Sequence, residues 1–255
     1  MSSGITVSSL TVRFGGVTAL SEVSLKVSPG EIVGVIGPNG SGKSTLFNAV
    51  SGIVQPSSGA ILIDGADVVG VAPDRLVRQG LARTFQTPRI DPALPVKTAV
   101  LCGFHTMMRQ SILEAMLHLP RQTREETQMK ASCDALLERL GLTAVREVPL
   151  GELPMGQVRL VDVARAMASK PRYLLLDEPA AGLSLPEQRR LAAAIRLLAA
   201  DGVGVLLVEH NFGLVGELCR HVTVLERGKV LVEGDIATVR GDPEFLRSYL
   251  GSHAA

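Results

Sequence analysis

The stretch Gly37-Pro38-Asn39-Gly40-Ser41-Gly42-Lys43-Ser44-Thr45 decides how this chain folds. It follows Glu31-Ile-Val-Gly-Val-Ile36, a short and continuous apolar run of the kind found in strands that are buried on both faces. It leads into Lys43–Val50, which we predict to be a helix. A buried strand, a glycine-rich turn and a helix in this order predict the first unit of an α/β domain.

The turn has the spacing G-x4-G-K-[ST], which suits it to hold a triphosphate. Glycines let the backbone curl so that successive N–H groups point at phosphate oxygens. The helix that follows presents unpaired amides and the positive end of its dipole to the same anion. We expect Lys43 to reach the β- and γ-phosphates and Ser44 to ligate Mg²⁺. A plain Gly/Ser-rich turn is the alternative, and the strand–turn–helix context argues against it.

A second stretch, Tyr173-Leu-Leu-Leu-Asp177-Glu178, is an apolar strand that ends in two carboxylates. Because the carboxyl ends of parallel strands meet at the crevice where ligands bind, Asp177 should lie beside the glycine-rich turn. We expect Asp177 to complete the Mg²⁺ shell and Glu178 to act on an attacking water. Two solvated acids that merely cap a strand are the alternative, which the neighbouring phosphate loop makes less favourable.

Two further polar residues follow predicted strands or junctions. His210 follows the buried run 203–208 after one intervening residue, at a strand end where a third contact to the γ-phosphate is needed. Gln86 lies in Arg83-Thr-Phe-Gln86, at the junction between the sheet and a helical segment, where its amide can touch the metal or the water. Taken alone, a histidine at a strand end is more often a capping residue, and a loop glutamine carries little information.

The remaining strand patterns predict a sheet with both orientations. Alternating apolar residues across 5–14 and 23–27 indicate two half-exposed antiparallel strands. The stretch 186–200, rich in Ala, Leu and Arg, favours a helix. It separates the buried runs 173–176 and 203–208, which is the arrangement of a parallel strand–helix–strand crossover.

The middle and the end of the chain differ from this pattern. No strong strand signal is present across about 95–165, and 123–140 is the clearest of several helix-like segments there, so we predict a helical insert. Residues 222–233 predict a hairpin that turns at Arg227-Gly228, followed by a short helical tail. We therefore predict one α/β domain over 1–255, with a core formed by 1–90 and 166–255, and a helical subdomain over about 91–165.

Composition excludes several functional classes. The 255 residues are 46% hydrophobic and carry a formal net charge of +1, with 3% aromatic residues, so we expect no nucleic-acid partner. No apolar run approaches the roughly 20 residues that cross a bilayer, and no signal peptide is visible at the start. Cys102, Cys133 and Cys219 are widely spaced, which argues against a disulfide or metal role.

Taken together, these residues resemble the ABC transporter ATPase family over essentially the whole chain. The resemblance identifies 37–45 with the Walker A motif and 173–178 with the Walker B strand and its catalytic glutamate. It implies that Gln86 is the Q-loop glutamine, that His210 is the switch histidine and that Phe14 stacks on adenine. Phe14 as an ordinary core residue is the alternative for that position. The implied cofactors are ATP and Mg²⁺, held in a P-loop NTPase fold with a mixed central sheet, an antiparallel β edge and a helical subdomain.

The family's signature segment is usually L-S-G-G-Q, and this chain has Leu153-Pro154-Met155-Gly156-Gln157. In the family this segment starts a helix that points at the γ-phosphate held by another subunit, so Gly156 and Gln157 are implied to bind that nucleotide. Pro154 cannot supply the serine hydroxyl, although proline near a helix start costs little. Loss of one hydrogen bond to a charged group costs about 1.5 to 3 kcal/mol, so we expect slower turnover or weaker dimerisation and not lost function.

Other segments are similar to one branch of the family, the ATP-binding proteins of branched-chain (hydrophobic) amino-acid importers. They are Arg13-Phe-Gly-Gly16, Arg83-Thr-Phe-Gln86, Ala180-Ala-Gly-Leu183, Val208-Glu-His-Asn211 and Phe245-Leu-Arg-Ser-Tyr-Leu-Gly251. Importers of urea or amides share these weaker motifs, so the solute stays open.

The resemblance also implies partners. They are a second ATPase subunit, identical or paralogous, in a head-to-tail dimer, transmembrane permease subunits, and indirectly a solute-binding protein. The chain would then be cytoplasmic, held at the inner face of the membrane by the permease. An ABC-type ATPase without a membrane partner is an alternative, but such proteins usually carry two cassettes or a long coiled coil. A P-loop kinase or GTPase does not account for the order of Gln86, the signature segment and His210.

Overall fold

A computed structural model describes residues 3–84, 90–104 and 120–251 of the chain. Its ten strands in these residues are β1 Ile5–Phe14, β2 Val17–Val27, β3 Ile32–Ile36, β4 Ser58–Ile63, β5 Ala66–Asp67, β6 Leu81–Arg83, β7 Tyr173–Asp177, β8 Gly204–Val208, β9 His221–Glu226 and β10 Lys229–Gly234. The helices are α1 Lys43–Val50, α2 Pro73–Arg78, α3 Val96–Phe104, α4 Pro120–Arg139, α5 Met155–Ala168, α6 Leu185–Ala200, α7 Phe212–Leu218, α8 Ile236–Gly241 and α9 Pro243–Gly251.

The strands form two sheets. A six-stranded sheet has the order β10-β9-β3-β8-β7-β6, in which every neighbouring pair is parallel except β10 and β9. A separate four-stranded antiparallel sheet has the order β2-β1-β4-β5. The predicted α/β fold with a mixed central sheet and antiparallel strands is therefore confirmed.

The central sheet is covered on both faces. All five residues of β3, of β7 and of β8 are buried, as their continuous apolar runs predict. Alternate residues of β7 enter different hydrophobic clusters, with Leu174 in the cluster formed by α3 to α7 and Leu175 in the cluster formed by α1 and the antiparallel sheet. This double burial fixes the register of the sheet, because a slip by one residue would exchange the two faces.

Register places the ends of three strands at one edge. Val35 of β3 and Asp177 of β7 both pair with Val208 of β8, so the three strands end level with one another. The loop after β3 and the residues that follow β7 and β8 therefore start from the same edge of the sheet, where ligands of open α/β sheets bind.

Four elements between residues 51 and 83 are absent from the sequence-based predictions. They are β4, β5, α2 and β6. Strand β4 pairs with β1, with Ile63 opposite Ile5, and extends the antiparallel sheet towards β5. Strand β6 has only three residues, too few to show a period, and pairs in parallel with β7 so that Arg83 lies opposite Leu175.

The described part of 91–165 contains helices α3, α4 and most of α5, with two 3₁₀ turns and one isolated bridge between Pro95 and Pro149. Helix α3 packs on both α4 and α5. The bounds of a separate helical subdomain stay a prediction. Among the described residues, no helix has the length and apolar character that a membrane span needs.

The three cysteines are free thiols, with Cys133 and Cys219 buried and Cys102 exposed. Burial raises the pKa of Cys133 to about 11 and that of Cys219 to about 12. Both buried thiols are therefore protonated at neutral pH and pack as small apolar groups.

Candidate nucleotide-binding site

The glycine-rich loop lies between β3 and α1, as the sequence predicts. Gly42 precedes the helix with φ of 107°, in the left-handed region that glycine tolerates best. A Cβ at this position would lie 2.6 Å from Leu20 Cδ2 and 2.9 Å from the carbonyl oxygen of Ala19. Glycine is therefore required here by both the backbone angle and the closeness of β2.

Lys43 folds back across this loop. Its side chain is buried, and Nζ donates to the carbonyl oxygens of Gly37 at 2.8 Å and Pro38 at 2.9 Å. Burial lowers the pKa of Lys43, while the charges of Glu178 and Asp177 oppose that shift. The lysine is thus close enough to both carboxylates to interact with them electrostatically.

Ser41 is the second buried polar residue of the loop. It is 2% exposed, and its Oγ has no hydrogen-bond partner among the described residues. A buried hydroxyl without a partner is rare in proteins, and a phosphate oxygen is a suitable acceptor for it. The loop therefore fits an anionic ligand, as its spacing predicts.

Asp177 ends β7 and is buried, whereas Ser44 in the first turn of α1 is exposed. Asp177 Oδ2 accepts a hydrogen bond from Arg83 Nη2 at 3.0 Å. A serine hydroxyl and a carboxylate are oxygen ligands of the type that Mg²⁺ prefers. The donor set therefore fits the predicted metal, with Thr45 next to it half-buried.

Glu178 and His210 face each other across the ends of β7 and β8. His210 Nε2 lies 2.7 Å from Glu178 Oε1. The Glu178 backbone has φ of 46°, and its N–H donates to the carbonyl oxygen of Val208 at 2.9 Å. A non-glycine residue in the left-handed region is strained, and such residues cluster at functional sites. The structure therefore brings together Lys43, Asp177, Glu178 and His210, all four of which the sequence selects.

Glu209 is a site residue that sequence reasoning missed. It is 3% exposed, and its two carboxylate oxygens accept from the N–H groups of Ala180 at 2.7 Å and His210 at 3.2 Å. Burial raises the pKa of Glu209, against those hydrogen bonds. The side chain ties the segment after Glu178 to the backbone of His210. An acid directly after the apolar run of β8 is the signal that could have found it.

Of the predicted site residues Phe14 and Gln86, the structure describes only Phe14. Phe14 ends β1 with 52% of its surface exposed, so the alternative that it is a core residue is wrong. Its stacking role stays a prediction. Gln86 belongs to residues 85–89, which lie outside the described residues, so its predicted contact with metal or water is untested.

The signature segment starts helix α5. Pro154 precedes the helix with φ of −56°, which proline adopts without strain. Gly156 is buried, and Gln157 is half-buried with its Oε1 lacking a partner among the described residues. Both residues therefore lie at the N-terminus of a helix, as the resemblance implies.

An unpredicted carboxylate lies at that same helix end. Glu187 of α6 accepts hydrogen bonds from the hydroxyl and the N–H of Ser184, which together with the nearby N–H of Gly156 lower the pKa of Glu187. A Cβ at Gly156 would lie 2.2 Å from Glu187 Oε1. The glycine thus allows a carboxylate of the same chain to approach the first turn of α5, where helices attract anions.

Comparison with known proteins gives consistent matches. Residues 20–181 match the family described as ABC transporter. The high-affinity branched-chain amino acid transport ATP-binding protein BraF of Pseudomonas aeruginosa is 37% identical over 246 residues, which cover 96% of each chain. The corresponding protein LivG of Escherichia coli K12 is 34% identical over 248 residues, which cover 97% of each chain.

Solved structures agree with these sequence matches. An ATP-binding cassette of an ABC transporter in its ADP conformation superposes with a TM-score of 0.85 at 30% identity, covering 98% of this chain and all of the other. A nucleotide-free ATP-binding cassette from an ABC transporter gives a TM-score of 0.84 at 30% identity, covering 96% of this chain and 98% of the other.

Proposed function

The chain belongs to the ABC transporter family, and we propose that it is the ATP-hydrolysing subunit of an importer for branched-chain or other hydrophobic amino acids. The observation that carries the ATPase assignment is the convergence of Lys43, Asp177 and Glu178 at one sheet edge, with His210 paired to Glu178. The amino-acid assignment is supported by the names of full-length relatives and by the branch motifs of the sequence. A urea or amide importer is the alternative.

The loop would bind the phosphates of ATP. Lys43 Nζ exchanges its bonds to the carbonyl oxygens of Gly37 and Pro38 for bonds to β- and γ-phosphate oxygens. Ser41 Oγ gains the partner that it lacks, and Phe14 supplies an exposed ring for adenine. Pro38, Asn39, Gly40, Gly42 and Thr45 complete the binding loop.

Ser44, Asp177 and Gln86 would hold Mg²⁺, which when bound neutralises charge on the phosphates. Glu178 orients the attacking water and accepts its proton, and His210 contacts the γ-phosphate. The strained Glu178 backbone, fixed by Val208, keeps the carboxylate aimed at the site before the ligand arrives.

We infer a head-to-tail dimer, because the loop grips ATP from one side and the signature segment lies on another part of the fold. Gly156 and Gln157 would contact the ATP held by the second subunit, identical or paralogous. Met155 and Leu185, next to the contact between Gly156 and Glu187, expose 57% and 70% of their surfaces, as expected for residues that a partner covers. The dimer would attach to permease subunits at the cytoplasmic face of the membrane and, through them, respond to a solute-binding protein.

The test is to purify the native complex from detergent, reconstitute it in proteoliposomes, and measure ATP hydrolysis and uptake with its binding protein. We expect leucine, isoleucine or valine to stimulate ATP hydrolysis, and urea and acetamide to leave it at its basal rate. If only urea or acetamide stimulates ATP hydrolysis, the transported solute is urea or an amide and not a hydrophobic amino acid. If the native protein purifies without any permease, the transport assignment is contradicted. The ATPase assignment would then be tested by ATP hydrolysis alone.

A further inference from the structure

Arg83 joins two parts of the candidate site that the sequence does not connect. It is the last residue of β6, and its side chain is 12% exposed. Nη2 donates to Asp177 Oδ2 at 3.0 Å, and Nη1 donates to Asn48 Oδ1 at 2.8 Å and to Ser51 Oγ at 2.9 Å. The guanidinium also packs 5.6 Å from the centre of the Phe47 ring.

The partners of Arg83 belong to the two elements that would carry the metal ligands. Asn48 lies in α1 and Ser51 caps it, and this helix begins with Lys43 and Ser44. Asp177 ends the neighbouring strand β7. One planar guanidinium therefore fixes the carboxylate of Asp177 relative to the helix that carries Ser44.

The ion pair between Arg83 and Asp177 is largely buried. The side chains of Arg83 and Asp177 are each 12% exposed, so neither charge is well solvated. Removal of one partner from a buried pair leaves the other charge uncompensated. The arginine fork reaches Asp177 with one nitrogen and Asn48 and Ser51 with the other, and the single ammonium of a lysine cannot reproduce this geometry.

We propose that Arg83 is a positioning residue that orients the Asp177 carboxylate for Mg²⁺ and holds it in register with Ser44. The inference rests on the proposed function, because Mg²⁺ matters only if this loop binds ATP. Mg²⁺ demands near-octahedral geometry at short distances, so it is sensitive to small displacements of a ligand. Residues that orient metal ligands typically change metal affinity by about 10- to 100-fold when they are replaced.

A purely structural role makes a different prediction. If Arg83 only held β6 against α1, its replacement would reduce the stability of the fold. It would then weaken nucleotide binding equally with and without Mg²⁺. A positioning role instead weakens the Mg²⁺-dependent part of binding. The affinity for nucleotide in EDTA separates the two, because it depends on the loop and not on the metal ligands.

The experiment is to titrate the full chain with a fluorescent ATP analogue in EDTA, and then at a fixed analogue concentration with Mg²⁺. Arg83→Gln is compared with Arg83→Lys and with the control Arg139→Gln, which breaks a partly exposed ion pair with Asp201 at another place. For Arg83→Gln we expect affinity in EDTA within about twofold of the unmodified chain, and a Mg²⁺ midpoint raised about 10- to 100-fold. Arg83→Lys should lie between, and Arg139→Gln should match the unmodified chain.

A Mg²⁺ midpoint within twofold of the unmodified value in Arg83→Gln overturns the proposal, and so does an equal loss of affinity in EDTA and in Mg²⁺. If Arg83→Gln does not fold, Arg83→Lys decides by the same two criteria. If the unmodified chain does not bind the analogue with Mg²⁺ present, it is the proposed function that fails.

Discussion

His210 Nε2 lies 2.7 Å from Glu178 Oε1, so the two residues that would act on the γ-phosphate and the water are paired with each other. The pair spans the ends of neighbouring parallel strands, where the Glu178 N–H is also held by the carbonyl oxygen of Val208. Both side chains are therefore presented at the sheet edge beside the loop that carries Lys43.

Replacing Lys43 should weaken the binding of ATP. Lys43→Met removes the group that would contact the β- and γ-phosphates, so we expect ATP affinity to fall by roughly 10- to 200-fold, in line with loss of a hydrogen bond to a charged group. The measurement is a binding titration with ATP and Mg²⁺. A variant that binds ATP as tightly as the unmodified chain would contradict the assigned role.

The difference in stability between the unmodified chain and Lys43→Met should depend on pH. The pKa of Lys43 is lowered in the folded chain, so its charged form opposes folding, and that penalty falls as pH rises towards the ordinary lysine value of about 10.4. Without nucleotide, the unmodified chain should gain stability relative to Lys43→Met as the pH rises towards about pH 10. Urea unfolding at several pH values measures this, and the opposite slope would contradict it.

Restoring the usual serine in the signature segment should not harm the protein. Pro154 precedes α5 with an exposed side chain and no N–H bond to lose, so Pro154→Ser adds a hydroxyl and a helix cap. We expect equal or higher ATPase activity of the assembled transporter. Pro73→Ser, at the first position of α2, is the matched control. A strong loss of activity confined to Pro154→Ser would show that the proline has a function of its own.

Glu187 should restrain closure of the dimer. Its carboxylate lies beside Gly156, where we propose that the γ-phosphate held by the second subunit binds. Glu187→Gln keeps the shape and removes the charge, so the ATP concentration for half-maximal dimerisation should fall roughly two- to fivefold. Light scattering during an ATP titration measures it, with Glu244→Gln in the first turn of α9 as control. Unchanged or weaker dimerisation in Glu187→Gln alone would contradict this.

Much of the fold follows from local patterns in the sequence. Helix α1 has the predicted bounds, Lys43–Val50, because the loop spacing fixes where the helix starts. The sequence predicts strands β3, β7 and β8 correctly because burial on both faces requires a continuous apolar run. The predicted hairpin is confirmed as β9 and β10, with Arg227 and Gly228 at its turn.

The site contacts that the sequence does not predict join segments that are distant along the chain. Strand β6 is too short to show a period, so nothing local indicated that Arg83 would reach Asp177 and Asn48. The approach of Glu187 to Gly156 joins two segments whose sequences look ordinary by themselves. Such contacts are set by the packing of helices and strands, which a single sequence does not reveal.

The most direct test of the central claim is hydrolysis by Glu178→Gln. The variant keeps the loop and Asp177, but it lacks the carboxylate that we propose accepts the proton of the attacking water. Glu147→Gln, with an exposed side chain outside the site, is the control. The assay measures phosphate release by the assembled transporter, together with ATP affinity and dimer content of the isolated chain.

For Glu178→Gln we expect ATP affinity within about twofold of the unmodified chain, phosphate release lower by roughly 10²- to 10⁴-fold, and an ATP-bound dimer that accumulates. Glu147→Gln should behave as the unmodified chain does. Phosphate release by Glu178→Gln at the unmodified rate would contradict the assignment of the carboxylate that ends the Walker B segment.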